Sequence, residues 1–345
     1  MHNLFQIGMD ARGMRIAVLG GNGSIGHAIV RRAPHRGHTV RAVVRDPRNT
    51  REMPPGTEVV GTDLLDGDEV LRACEGCDAI VHAGNAPYPE WAAKVPAMAR
   101  NALRAAEATG AVLGFPGNVY VYGHPRTRPA TEDHPMEPHT VKGKIRLHIE
   151  REYLQAHREG RIKVVIPRYP DFYGVGIVHE FVRPIYEGAL TGKGCRWPIT
   201  LDAPHEFIFI DDAADAMLTL LETPAALGRA VHVPGPGMTT ARDFISIAYR
   251  LGGHEPKIGV YGRGMVRLVG LWNPMARAAY EMMYLFDEPV ILDGTLYRTL
   301  TGSPHPATSY EEGMRKTLEW YRTVRTTSSQ TELRGAPGPR IGKSI

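Results

Sequence analysis

Short apolar, β-branched runs alternate with stretches of helical period along the first half of the chain. RIAVLG (15–20) has the size of a buried strand, and SIGHAIVRRAPHRG (24–37) follows with Ile25, Ala28, Ile29 and Ala33 on one helical face. TVRAVVRD (39–46), TEVVGTDLLD (57–66) and CDAIVHAG (77–84) supply strands two to four. Residues 93–110 form a helix that Gly110 is placed to cap, 111–123 hold strand five, and 145–160 form a helix leading into strand six at 161–168. Strand, helix and strand in repetition imply a parallel sheet covered on both faces. The right-handed crossover rule then gives a doubly wound α/β fold.

After about residue 170 the pattern loosens. HEFIFIDDAADAMLTLLET (205–223) still reads as strand plus helix, with Asp211 or Asp212 as its N-cap. The expected division is a core over 14–170, to which 203–233 return, and a smaller, mostly helical region over 171–202 and 234–325. Ser309, followed by Glu311 and Glu312, marks a late helix start. The Ser/Thr/Gly/Pro-rich tail, 326–345, is expected to be disordered. Met14 opens the first clear strand, so the preceding residues read as an extension.

Composition narrows the classes. In 345 residues, 43% are hydrophobic and 23% charged, ordinary globular values. A net charge of +4 with scattered basic residues argues against a nucleic-acid partner. No apolar run reaches the ~18 residues of a membrane span, so no membrane partner is expected. Three cysteines argue against a disulfide framework and suit a reducing cytoplasm. Cys74 and Cys77 form a lone CxxC with no second ligand pair, so no metal is expected.

LGGNGSIG follows strand one and opens a helix. Gly20 permits a tight turn, Gly23 lets a pyrophosphate approach the backbone, and Gly26 brings helix to strand. With Asn22, Ser24 and Ile25 these residues form a candidate dinucleotide cradle at a helix N-terminus, in a Rossmann-like fold. Strand two ends in Arg45, whose guanidinium suits a 2′-phosphate, ahead of Asp46, which could accept a ribose hydroxyl instead. NADP(H) is therefore expected in preference to NAD(H).

LGGNGSIG, GTDLLD (61–66), VHAGNAP (81–87), VYVYG (119–123), RYPDFYG (168–174), FIDDAADAM (209–217) and EEGMRKTLEWY (311–321) occur in this order. Together they resemble the extended short-chain dehydrogenase/reductase superfamily, its NAD(P)-dependent epimerase/dehydratase group, over residues 14–324. The resemblance implies that Asp63 and Leu64 flank an adenine. It implies that Ala83, Gly84 and Asn85 line the path to the nicotinamide ribose, and that the segment from Tyr169 turns past the nicotinamide. The chain departs from the pattern at the chemistry. Asn118 stands where the family has its catalytic Ser. Lys142 and Arg146 stand where it has Tyr and Lys, as in an atypical subgroup without the catalytic Tyr.

Lys142 and Arg146 are four residues apart and share a helix face. Arg146 can bind ribose hydroxyls but stays charged; otherwise it pairs with Glu150 at the surface. Lys142 is the leading candidate proton donor, helped by burial and the neighbouring Arg146. Tyr120 is the second candidate, placed with Asn118 on one side of strand five by alternation. Asn118 could hold a substrate carbonyl. Tyr122 reads as structural. Tyr88, Trp91, Phe172, Tyr173 and His179 are candidate substrate contacts, with Met282, Met283, Tyr284 and Phe286 behind them. That wall suits a small, fairly apolar substrate better than a nucleotide sugar, for whose diphosphate only Arg183 and Arg263 offer themselves. The leading reading is an NADP(H)-dependent reductase or dehydrogenase. A nucleotide-sugar epimerase or dehydratase, a non-catalytic redox sensor, and a non-redox isomerase or cyclase are the alternatives. A homodimer is left open.

Overall fold

The computed structural model describes residues 13–177 and 182–333, with side chains to 324. The first half follows the expected alternation. It runs β1 (Arg15–Leu19), α1 (Ser24–Arg32), β2 (Thr39–Val44), β3 (Glu58–Gly61), α2 (Gly67–Cys74), β4 (Ala79–His82), α3 (Trp91–Thr109), β5 (Val112–Gly114) and β6 (Gly117–Asn118). Then come α4 (Val141–Arg158), β7 (Lys163–Tyr169), β8 (Asp171–Tyr173), α5 (Arg183–Thr191), β9 (Cys195–Pro198), β10 (Pro204–His205) and β11 (Phe207–Phe209). The remainder is α6 (Ile210–Leu221), β12 (Arg229–His232), β13 (Thr239–Thr240), α7 (Ala241–Gly252), β14 (Ile258–Tyr261), α8 (Arg263–Val269), α9 (Pro274–Tyr280), α10 (Thr295–Thr301) and α11 (Tyr310–Leu333).

Among the described residues, one parallel sheet runs β12-β7-β5-β4-β1-β2-β3, with β6 also paired to β7. Strand alternation sends Ile16 and Val18 to the face covered by α1 and α6. It sends Ala17 and Leu19 to the face covered by α2, α3 and α4. The strand order reverses between β1 and β4, so their carboxyl ends part to leave a crevice, the place where such sheets bind ligands. Gly110 closes α3 with φ 73°, and Ser309 Oγ accepts from Glu312 N at the start of α11, both as the pattern predicts.

Other expectations need correction. Strand five is not continuous. Pro116, which has no N–H to give a ladder, separates β5 from β6, and 119–121 turn into a 3₁₀ helix. Neither Asp211 nor Asp212 caps α6. Asp211 pairs with Arg31, while Asp212 accepts from Thr308 N (2.6 Å) and Oγ1 (2.8 Å). The smaller region over 171–202 and 234–325 is mostly helical, α5 and α7 to α11, with the short strands β8, β9, β13 and β14 among them. The backbone of α11 stays helical to Leu333, past the expected boundary at 326; residues 334–345 lie outside the described residues.

Candidate functional site

The glycine loop is built for close backbone approach. Gly20 has φ 84°, and a Cβ there would lie 2.7 Å from Gly84 Cα, so the loops after β1 and β4 touch. A Cβ on Gly26 would lie 2.3 Å from Gly20 O, so Gly26 makes room for the loop itself rather than for a strand. A Cβ on Gly84 would lie 2.2 Å from Leu64 Cδ1, which draws Leu64 to the same crevice. Helix α1 opens at Ser24 after Gly23 as N-cap, with no side-chain cap and no acidic first turn, so its positive end stays uncompensated by carboxylates. This cradle fits a dinucleotide pyrophosphate.

The loop after β2 is tied down over the cradle. Asn22 Nδ2 donates to Asn49 O (3.1 Å), Asn22 Oδ1 accepts from Arg51 N (2.7 Å), and His27 Nε2 meets Glu52 O (2.9 Å). Asn22 thus positions the loop rather than pointing free for a cofactor. Arg45 is exposed and has no ion-pair partner among the described residues. Asp46, its rival for the ribose, is held by Arg48 (3.0 Å), whose guanidinium keeps the carboxylate below its ordinary range. Half-buried Arg51, which the sequence reading missed, adds a further cation beside the cradle, lowered by burial and by Arg31. Asp63 accepts from Leu65 N (3.0 Å), Ala83 N donates to Leu19 O (3.0 Å), and Asn85 Oδ1 accepts from Ala86 N (2.9 Å). Asp63 follows β3, and Ala83 and Asn85 follow β4. Ser24 is the first residue of α1.

Beyond this crevice the structure gathers five candidate side chains. Tyr88 and Tyr120 share a hydrogen bond between their hydroxyls (2.8 Å), and Trp91 packs edge-on to Tyr88 with ring centres 5.3 Å apart. The Arg146 guanidinium lies 5.2 Å from the Trp91 ring centre and 5.1 Å from that of Phe115. It donates to Pro116 O (3.3 Å), and no carboxylate pairs with it among the described residues. Burial pushes its proton affinity down, yet a guanidinium stays charged. Burial also raises both phenols, Tyr120 well above its ordinary value. Asn118 Oδ1 accepts from Tyr120 N (3.2 Å), so Asn118 caps the 3₁₀ turn, and that turn, not strand alternation, aims Tyr120.

Lys142 is buried rather than solvated. It is 4% exposed, and its Nζ donates to Glu281 Oε1 (2.7 Å) and Ala278 O (2.6 Å), 4.8 Å from the Tyr88 ring centre. Glu281 also accepts from Val141 N (2.8 Å), at the start of α4. Burial raises the Glu281 carboxyl, but Lys142 and the α4 amides outweigh it and hold it below its usual range. A cavity of about 310 Å³ opens here, lined by Tyr88, Trp91, Lys142, Ala278, Tyr280 and Glu281. A larger open depression of about 610 Å³, along α7 at Asp243, Arg250 and His254, holds none of the candidate residues.

Four expectations fail or fall outside the described residues. Glu150 does not pair with Arg146; its Oε2 accepts from Arg168 Nε (2.9 Å) and Nη2 (2.7 Å), a pair 1–2% exposed. Arg168 also donates to Tyr122 (2.6 Å), which is fully buried. Tyr169 is buried in the core and donates to Ala213 O (2.8 Å), so it ties β7 to α6 instead of facing a cofactor. Tyr173 is likewise core, packed on Phe209 and Phe244, whereas Phe172 is half-buried against Tyr169. His179 lies outside the described residues. Glu281, Asp171 and His205 were missed. His205 Nε2 meets Asp171 Oδ2 at 3.0 Å, and Asp171 is close enough to raise Tyr88 and Tyr120. The DFY of RYPDFYG carried the signal for Asp171; the other two arrive through long-range packing.

A parallel sheet with a glycine cradle at its switch point and a polar-aromatic cleft beside it defines a dinucleotide-binding α/β enzyme fold. The model of the NAD dependent epimerase/dehydratase family matches residues 16–234, and the chain belongs to that family. The fold is similar to an epimerase from Methanothermobacter thermautotrophicus (TM-score 0.76, 16% identity, 91% of this chain and 94% of that one). It is also similar to UDP-glucose 4-epimerase from Thermotoga maritima, solved with UDP-glucose (0.75, 19%, 90% and 100%). Sequence relatives match over shorter stretches. The photosystem II assembly factor Ycf39 of a Synechocystis strain is 36% identical over 74 residues, 21% of this chain and 23% of its own length. A 3-beta-hydroxysteroid dehydrogenase from Mycolicibacterium neoaurum is 40% identical over 68 residues, 20% and 18% of the two lengths.

Proposed function

We propose that the chain is an NADP(H)-dependent oxidoreductase acting on a small, fairly apolar carbonyl or alcohol, of the subgroup without the family's usual catalytic Tyr. The observation that carries this reading is the Tyr88–Tyr120 hydroxyl pair beside Arg146, a guanidinium with no carboxylate partner among the described residues. Arg45, beside an Asp46 already engaged by Arg48, supports the 2′-phosphate. Gly20, Gly23 and Gly26 would hold the pyrophosphate, and Ala83, Gly84 and Asn85 the nicotinamide side. When bound in that crevice, NADP(H) would supply hydride donation or acceptance. Tyr120 would give its proton to the carbonyl oxygen, Tyr88 would re-supply Tyr120 through the shared hydrogen bond and recover its own proton from water in the cavity it lines, and the Arg146 charge would favour the transient phenolate. Lys142, tied to Glu281, closes the cavity wall instead of serving as the acid. The two arginines available for a sugar-nucleotide diphosphate are both engaged, Arg183 by Glu187 (2.8 Å) and Arg263 by Asp287 (2.9 Å).

The test is NADPH oxidation across a panel of apolar aldehydes and ketones. Tyr120→Phe should lower turnover by roughly 10²–10⁴, a general acid's usual share. Lys142→Met should leave most of it. Loss with Lys142→Met and none with Tyr120→Phe would reverse the assignment.

A further inference from the structure

We propose that the α8–α9 hairpin docks the protein on an anionic lipid bilayer. Neither helix has a buried residue. Met265, Leu268, Val269, Leu271 and Trp272 are all exposed, Leu271 at 61% and Trp272 at 77%. A contiguous apolar patch of this kind marks an interaction surface. The hairpin is nonetheless well formed. Arg277 donates to Gly270 O (2.8 Å) and Leu271 O (3.0 Å), closing the end of α8, and Asn273 caps α9 through Met275 N (2.9 Å) and Ala276 N (3.1 Å). The turn at Leu271 and Trp272 is therefore presented by an ordered scaffold.

Charge selects the partner. Residues 257–280 carry Lys257, Arg263, Arg267 and Arg277 and no Asp or Glu. Of these, Arg263 is paired with Asp287. A two-fold contact between copies would set one acid-free hairpin against another, so self-association through this face is opposed. An anionic headgroup layer satisfies the cations while Leu and Trp enter the acyl boundary by roughly 5–10 Å. Trp is suited to that boundary because its ring is apolar and its N–H polar. The expectation of no membrane partner rested on spanning segments, and among the described residues no helix is long and apolar enough to cross. An interfacial hairpin needs no such length. Ala278 and Tyr280 of α9 also line the 310 Å³ cavity. Docking would thus place the cavity mouth at the lipid surface, where an apolar substrate concentrates. This last clause rests on the proposed activity; the docking does not.

Vesicle co-sedimentation of the full chain tests it without turnover. The protein should pellet with phosphatidylcholine vesicles containing phosphatidylglycerol and much less with phosphatidylcholine alone. Leu271→Ser/Trp272→Ser should abolish pelleting, and Arg267→Glu should weaken it about fivefold or more, with unchanged circular dichroism and melting. Several results would overturn the proposal: no pelleting by the parent chain, equal pelleting with both vesicle types, or insensitivity to these variants. So would a parent dimer, by sedimentation velocity, that the double variant dissolves while vesicles go unbound.

Discussion

Two cations four residues apart on α4 end in opposite circumstances. Lys142 meets a carboxylate and a carbonyl; Arg146 meets aromatic faces and one carbonyl, with its Nε buried and unpartnered. A buried, unpaired charge costs stability unless a ligand shares it. Arg146→Met should therefore leave the melting temperature unchanged or slightly higher while weakening NADPH roughly tenfold or more, the worth of a charged hydrogen bond. Isothermal titration and a melting curve check this together. A lower melting temperature with unaltered NADPH affinity would make Arg146 a purely structural residue. The sequence could place both cations on one face, but it could not show Glu281, 139 residues from Lys142, which decides their roles.

At the scale of elements, periodicity exposed the order of strands and helices, the glycine loop and the turn at Gly110. These are local signals, set by side-chain alternation and by glycine's access to positive φ. It failed where a strand is broken from within. Pro116 ends the ladder of β5, and Gly117 leaves room for Glu150, whose Oε1 would lie 2.9 Å from a Cβ there. The Arg168–Glu150 pair, joined to Tyr122, then locks β7, α4 and the 3₁₀ turn together. Both ions are nearly inaccessible, so removing one strands the other. Arg168→Met should cost about 3–5 kcal/mol in urea unfolding. A cost under ~1 kcal/mol, the range of an exposed pair, would show that the lock is not formed.

Over the whole molecule, buried titratable groups set the acid limit. Burial holds His82 neutral, down at about 3; burial and then Arg168 do the same for His232. Between about 6.5 and 3 the unfolded chain takes up protons that these native imidazoles refuse, so stability falls as pH drops through that window. Glu206, pushed up to about 7 by burial, acts oppositely: its contribution is lost as pH rises from about 4.5 through 7. The two imidazoles outweigh the single carboxyl, and melting temperature should fall from pH 6.5 to 4.5. His82→Phe keeps the ring against Phe115 and should flatten that fall by an amount on the order of a few kcal/mol at the acid end. A profile unchanged by the substitution would place the acid limit elsewhere. The crevice between β1 and β4 is expected to select NADPH. Fluorescence titration of the parent chain and of Arg45→Ala with NADPH and NADH measures that directly. NADPH should bind the parent about tenfold to a hundredfold tighter than NADH, with most of the gap gone in Arg45→Ala. Equal affinities in the parent, or tighter NADH, would contradict it.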